Sequence, residues 1–203
     1  MSLRYALLGF LTTGSSSGYQ LAQEFSESLG WFWYASHSQI HPELRRLEEQ
    51  GLAASQLSEE DGRNKRIFSI TPLGRETLNQ WLAAQDTEYP PVRDVERVRL
   101  MFLDQQPLVV IRRHLEVHRD HNARLVAVYT QQLREVRQGV LPRLVKRLAS
   151  QPEASHEMVT GLKALALQGN VMRARNEVMW AEDALLWLEQ STPAIESEEV
   201  REI

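Results

Sequence analysis

Apolar residues recur at helical spacing through most of the chain. Leu3, Leu7, Phe10 and Leu11 mark one face over residues 2–13, and the pattern stops at GSSSG, residues 14–18. Ser17 followed three residues later by Gln20 is a capping-box signature that opens a second helix over about 18–28. Leu21, Ala22 and Phe25 form its apolar side, and Gly30 ends it. In SHSQIHPELRRLEEQG, residues 36–51, Ile40, Leu44 and Leu47 make a single apolar stripe, with Ser36 or Ser38 as cap and Gly51 as stop. Pro42 inside this segment favours a start near Ser38, because an interior proline costs about 3 kcal/mol.

After Gly51 the period changes. LAASQL (52–57) and RIFSI (66–70) read as short strands around SEEDGRNK (58–65), where Asp61-Gly62 is a turn signal. TPLGRETLNQWL (71–82) is a helix entered through Thr71-Pro72, a cap followed by proline at the first helical position. Three helices and a hairpin in this order predict a winged helix-turn-helix over residues 1–84. Residues 85–91, with paired prolines, read as a linker, and 92–190 as an all-helical dimerisation domain. Helices are expected over about 92–103, from 107 to a break near Gly139 and Pro142, and over 152–190. The acidic tail 191–203 is expected to fray. The fold class is mainly α with a small β-hairpin.

These segments resemble the PadR-like family of bacterial transcriptional regulators. LGFL, SGYQLAQEF, WFWYASHSQIHPELRRLEEQGL and IFSITPLGRETLNQWL carry the resemblance. GLKALALQGNVMRARNEVMWAEDALLWL is similar to the helical C-terminal region of the longer members, called virulence-activator-like. The resemblance spans about residues 2–190 and implies a dimeric winged-helix repressor, often released by a small molecule or another signal. His41 departs from it, because the family usually has tyrosine there.

The residues themselves must carry any DNA contact. With Ile40 at zero and 100° per residue, Leu44 and Leu47 fall within about 40° of the core direction. Ser38, His41, Pro42 and Arg45 fall at about 100–200° and face outward. Arginine can take guanine O6 and N7 together, and serine or histidine can reach base edges or phosphates. A solvated helix face is the bland alternative on pattern alone. Arg63, Asn64, Lys65 and Arg66 form a basic run suited to phosphate or minor-groove contact. An ordinary polar turn would also carry them, since Glu59, Glu60 and Asp61 stand beside it. Tyr19 opens the second helix, whose free N–H groups can take a phosphate. The DNA-binding set is therefore Tyr19, Ser36, His37, Ser38, Gln39, His41, Arg45, Arg63, Asn64, Lys65 and Arg66, with double-stranded DNA as partner.

Charge opposes this reading. The 203 residues carry a formal net charge of −4. Residues 1–85 hold seven cations and nine anions, a net of −2, so any basic surface must be local. The rival function is a winged-helix interaction or adaptor module that binds protein in place of DNA. Trp31, Phe32, Trp33 and Tyr34 could stack on unpaired bases, but a duplex offers none in that turn, so packing is expected. His114, His118 and His121 share a helical face that a metal could use. With no cysteine in the chain and no carboxylate on that face, ordinary surface histidines are the expectation, and neither a metal nor a cofactor is expected. No catalytic constellation is present, so an enzyme is not expected. No apolar run reaches the length of a membrane helix, and cysteine-free composition fits the cytosol. The run Tyr5 to Leu11 mimics a signal peptide only faintly.

The last helix carries Leu167, Val171, Ala174, Val178, Ala181, Leu185 and Leu188 at alternating steps of four and three. A second row holds Leu165, Met172, Met179 and Leu186, interrupted by Asn176 and Asp183. Two stripes imply burial on two sides, and a homodimer is the economical second partner. The expected interface is Leu165, Val171, Met172, Val178, Met179, Leu185 and Leu186. A self-contained helical bundle is the alternative.

Overall fold

The computed structural model describes residues 2–28, 37–60, 63–85 and 94–199. It describes their side chains except at 2, 27, 28, 37, 59, 60, 63, 64 and 192–199. Two compact units divide between residues 89 and 90, inside the segment read as a linker.

The N-terminal unit runs α1 (Ser2–Leu11), β1 (Ser16–Ser17), α2 (Gly18–Ser28), α3 (His37–Glu49), β2 (Ala53–Glu60), β3 (Arg63–Ile70) and α4 (Pro72–Ala83). Leu7, Leu8, Leu11, Leu21, Phe25, Ile40, Leu44 and Leu47 are at most 2% exposed, so the stripes read from the sequence converge on one dry core. The capping box is formed in both directions. Gln20 N–H donates to Ser17 Oγ at 3.2 Å, and Ser17 N–H donates to Gln20 Oε1 at 3.0 Å. Thr71 Oγ1 caps α4 by accepting from Gly74 N–H at 3.0 Å, while donating to the Gly51 carbonyl at 2.7 Å. Gly74 is required there, because a Cβ would stand 2.0 Å from the Leu52 carbonyl oxygen. Tyr5 of α1 and Trp81 of α4 stack with ring centroids 4.5 Å apart.

Two differences from the sequence reading appear here. Ser16–Ser17, read only as a break, forms a third strand, and the antiparallel order is β1-β3-β2. The two hairpin strands extend to Glu60 and from Arg63, with Glu60 paired to Arg63 and Ser58 to Lys65. The basic run 63–66 therefore lies along β3 and not in a loose tip, because ladder pairing outweighs the weak strand propensity of these polar residues. α3 starts at His37, one residue from the expected start, with Pro42 just past its first turn.

The C-terminal unit runs α5 (Val95–Leu100), a 3-10 turn (Leu103–Gln105), α6 (Leu108–Gln138), α7 (Pro142–Ala149), a second 3-10 turn (Glu153–Ser155) and α8 (His156–Glu199). Gly139 ends α6 in a left-handed conformation (φ 68°). Its N–H reaches the Val136 carbonyl at 3.0 Å and that of Val140 reaches Glu135 at 3.2 Å, a Schellman motif. Pro142 then starts α7, a separate helix that the sequence reading took only as a break. α8 continues to Glu199, through most of the tail expected to fray.

The predicted dimer stripe divides in two. Val171 and Ala174 pack with Tyr129 of α6, Leu167 with Leu133 and Val136, and Leu185 and Leu188 with Leu115. Val171 and Leu185 are thus core residues of their own chain, and Val178 is half-buried. The reason is that α6 is long enough to cover the whole seam. The other row stays open, with Leu165, Met172, Met179 and Leu186 exposed by 64%, 57%, 60% and 54%.

Candidate nucleic-acid interface

Two depressions meet on the outward side of α3. One is lined by Ser38, His41, Pro42, Arg45, Arg46 and Glu49, the face opposite the buried stripe. The other is a trough between the start of α2, α3 and β3, lined by Ser17, Gly18, Tyr19, Gln20, His41, Arg45, Lys65, Arg66 and Phe68. His41 and Arg45 belong to both. The fold thus gathers Tyr19, Ser38, His41, Arg45, Lys65 and Arg66, which lie far apart in sequence.

The trough answers the objection from charge. Arg45, Lys65 and Arg66 line it, and none of the described residues lining it is acidic. A chain with net charge −4 therefore still presents a cationic concavity. The three cations differ in freedom. Strand alternation puts Arg66 on the face of buried Phe68, where its Nη1 lies 3.2 Å from Glu48 Oε2 of α3. Glu48 Oε1 also accepts from Ser55 Oγ at 2.5 Å, so Arg66 is half-neutralised by a braced carboxylate. Lys65 is half-buried and lines the same trough.

His41 is seated by a neighbour that sequence reading assigned no role beyond opening α2. A Cβ on Gly18 would lie 2.6 Å from His41 Cε1 and 2.8 Å from Nδ1. The imidazole therefore rests on the first turn of α2 only because residue 18 is glycine. Spacing along the chain gives no signal for this, since 23 positions separate the two residues.

The remaining sites fall as follows. Gln39 is exposed and lines neither depression. Ser36 and the aromatics 31–34 lie outside the described residues, as do the side chains of His37, Arg63 and Asn64. Arg46, Gln20 and Phe68 join the site without having been anticipated. Of the three histidines on α6, His114 Nε2 lies 3.1 Å from Glu96 Oε2 and His118 Nε2 lies 3.0 Å from Glu177 Oε2, and His121 is exposed. Among the described residues, no group of three or more histidine, aspartate or glutamate side chains could hold a metal ion. No helix of the described residues is long and apolar enough to cross a membrane.

A three-stranded wing beside a helix with an exposed polar face, followed by a helical unit, defines a winged helix-turn-helix protein. Residues 7–80 match the model of the transcriptional regulator PadR-like family, and residues 92–189 match that of the virulence activator alpha C-terminal region. The chain belongs to the PadR-like family of transcriptional regulators, a family of regulators and not of enzymes. It is 34% identical over 102 residues to the negative transcriptional regulator PadR of Bacillus subtilis (strain 168), covering 50% of this chain and 56% of that one. The chain spans about half the length of the curated relatives it matches. The Vibrio cholerae virulence activator AphA is similar at 30% identity, TM-score 0.66, covering 93% of this chain and 98% of that one. Bacillus subtilis PadR in complex with operator DNA shares the fold, with TM-score 0.73 at 24% identity over 93% of this chain and 99% of that one. The same protein in complex with p-coumaric acid aligns with TM-score 0.69 at 25% identity over 93% of this chain and 99% of that one.

Proposed function

We propose that this chain is a sequence-specific DNA-binding regulator, a repressor that binds a palindromic operator as a homodimer. The observation that carries the proposal is the cationic trough in an acidic chain, where Tyr19, His41, Arg45 and Lys65 converge beside the outward face of α3. In this reading the N-terminal half of α3 enters the major groove, with Ser38 and Arg45 at base edges. Lys65 and the wing follow the phosphate backbone, and the start of α2 at Tyr19 faces a second phosphate. His41, seated on Gly18, faces the duplex from the trough.

The exposed row Leu165, Met172, Met179 and Leu186 on α8 is the face that a second copy covers. A two-fold dimer matches a palindromic site. Release by a small molecule follows the relative that binds p-coumaric acid, and the effector of this chain is of the same general kind, a small molecule that shifts the dimer between states.

Footprinting on the DNA upstream of the chain's own gene tests the proposal. Protection of a palindromic segment, lost when Arg45 and Lys65 are both alanine, is the expected result. No protection at low salt, together with co-purification of a protein partner, would favour the adaptor reading that the net charge of −4 supports.

A further inference from the structure

Met158 lengthens the open row on α8. It stands one heptad before Leu165 and is likewise exposed, so Met158, Leu165, Met172, Met179 and Leu186 recur at every seventh position. The row runs about 42 Å along the helix, at 1.5 Å per residue. A strict seven-residue period held this long fits a second long helix wound around the first. α6 already covers the other side of α8, and among the described residues no other helix approaches this length. The helix that matches the row is therefore α8 of a second copy.

The apolar row by itself does not set the direction of that pair. A parallel pair puts each row residue against its own copy. An antiparallel pair centred on Met172 puts Met158 against Leu186, Leu165 against Met179 and Met172 against itself. Either one covers the whole row, and charge separates them. Residues 176–189 carry Glu177, Glu182, Asp183 and Glu189 and no cation. Arg97 holds Glu177 at 2.6 Å and Arg112 holds Glu189 at 2.9 Å, both within the chain. Glu182 and Asp183 flank the row between Met179 and Leu186, are exposed, and form no ion pair among the described residues. The other end of α8 is cationic through its neighbour. α7 carries Arg143, Lys146 and Arg147 and no acid, and it shares a core with Val159, Ala164 and Leu167.

We infer that α8 pairs with α8 of a second copy in the antiparallel sense, with the two-fold axis at Met172 and the acidic end of each copy beside the basic α7 end of the other. The inference rests on the homodimer proposed above and adds its direction and register. A parallel pair would set Glu182 and Asp183 beside their own copies and gather both α7 helices at one end, and like charges brought together disfavour a complex. The antiparallel pair moves those carboxylates to the level of Gly161 and Leu162, where the partner's α7 is the nearest charged element. Shape agrees with charge. A Cβ on Gly161 or Gly169 would meet nothing within 4 Å, so both glycines leave room on the helix. Counted from Met172, Gly161 lies level with Asp183 of the other copy and Gly169 with its Arg175, the places where charged side chains need space. A shift of one heptad in either direction would leave a row residue of each copy in water, so the register centred on Met172 is the one that covers the row.

The chain contains no cysteine, so single introduced thiols report the register. A disulfide needs Cα atoms within about 7 Å of each other, which only residues that meet across the pair satisfy. Met172→Cys, Met158→Cys and Leu186→Cys are each purified as the full chain and oxidised mildly, and the last two are also co-expressed and oxidised together. Met172→Cys should form disulfide dimers. Met158→Cys and Leu186→Cys alone should form about tenfold less, and together they should give the mixed disulfide, identified by mass. Disulfides of Met158→Cys with itself and of Leu186→Cys with itself would mean a parallel pair and overturn the inference. Sedimentation of the unoxidised chains separates the two levels of failure. A monomer removes the homodimer reading itself, whereas a dimer with no disulfide at any of the three positions keeps that reading and removes this surface. Charge gives an independent sign. Glu182→Gln with Asp183→Asn should weaken the dimer a few-fold at low salt, because it removes an attraction. A tighter dimer, the result expected when like charges are relieved, would overturn the antiparallel sense.

Discussion

Helices α3 and α8 solve the same packing problem and leave different surpluses. In α3, Ile40, Leu44 and Leu47 are all fully buried, and apart from Pro42 what remains outside is polar or charged, with Arg45 lining the cationic trough. In α8, the buried seam from Leu167 to Leu188 uses up one side, and the row Leu165, Met172, Met179 and Leu186 remains outside on another. A core needs a single stripe, so the surplus on each helix points to what lies beyond the core. A polar face beside a cationic trough suits a polyanion, and an apolar surplus suits a protein surface.

The contrast breaks most sharply on α8. Met172→Asp with Met179→Asp should leave the fold intact and abolish the dimer. Burial of two such side chains contributes about 3–6 kcal/mol, and a desolvated carboxylate adds to the loss. Sedimentation should give a monomer at micromolar concentration with a melting temperature close to wild type. Leu185→Ala, next to Leu186 of the same row, should do the reverse and cost about 2–5 kcal/mol of folding stability. A stable dimer of the double variant would mean that the exposed row is not the interface.

Two glycines sharpen the comparison inside the N-terminal unit. A Cβ on Gly74 meets the Leu52 backbone oxygen, which cannot move aside, so Gly74→Ala should destabilise by about 1–3 kcal/mol in denaturant titration. A Cβ on Gly18 meets the far end of the His41 side chain, which can swing away. Gly18→Ala should melt within a few degrees of wild type but bind operator more weakly, because His41 leaves the trough. Equal stability losses in both variants would mean that His41 is locked in place for packing.

Much of this was legible in the sequence because it is local. The capping box at Ser17 and Gln20, the Thr71-Pro72 helix start and the Ile40 stripe are set by neighbours within a turn or two. The third strand was not legible, because Ser16 and Ser17 have no strand character until β3 lies beside them. Nor was the Gly18–His41 contact, or the division of α8 between seam and open row, which depends on how far α6 extends. The winged fold and the helical C-terminal unit were read correctly, whereas the interface list mixed core residues such as Val171 and Leu185 with exposed ones.

Arg45 tests whether the surplus on α3 reads sequence. It lines both depressions, near the outward centre of the helix. Bidentate contact to a guanine predicts a loss of about 1–3 kcal/mol for Arg45→Ala, with relaxed preference at a single base pair. Affinity measured on an operator series with single base changes checks both parts. A uniform loss across the series would assign Arg45 to the backbone.

Lys65 should give the smallest effect and the most specific signature. It lies on β3 beside Arg66, whose guanidinium is tied 3.2 Å from Glu48, so Lys65 is the freer of the two wing cations in the trough. A lysine that follows a phosphate displaces roughly one counterion, whatever the bases nearby. Lys65→Ala should therefore weaken operator and scrambled duplex by about the same factor. It should also flatten the slope of log affinity against log salt by about one unit. The partial neutralisation of Arg66 makes a companion prediction. Glu48→Gln frees that guanidinium, and the slope should steepen by up to one unit while specificity is unchanged. Affinities at several salt concentrations on both duplexes measure the two variants together. Slopes that stay at the wild-type value in both would place the wing away from the phosphate backbone and leave α3 and the start of α2 to hold the duplex alone.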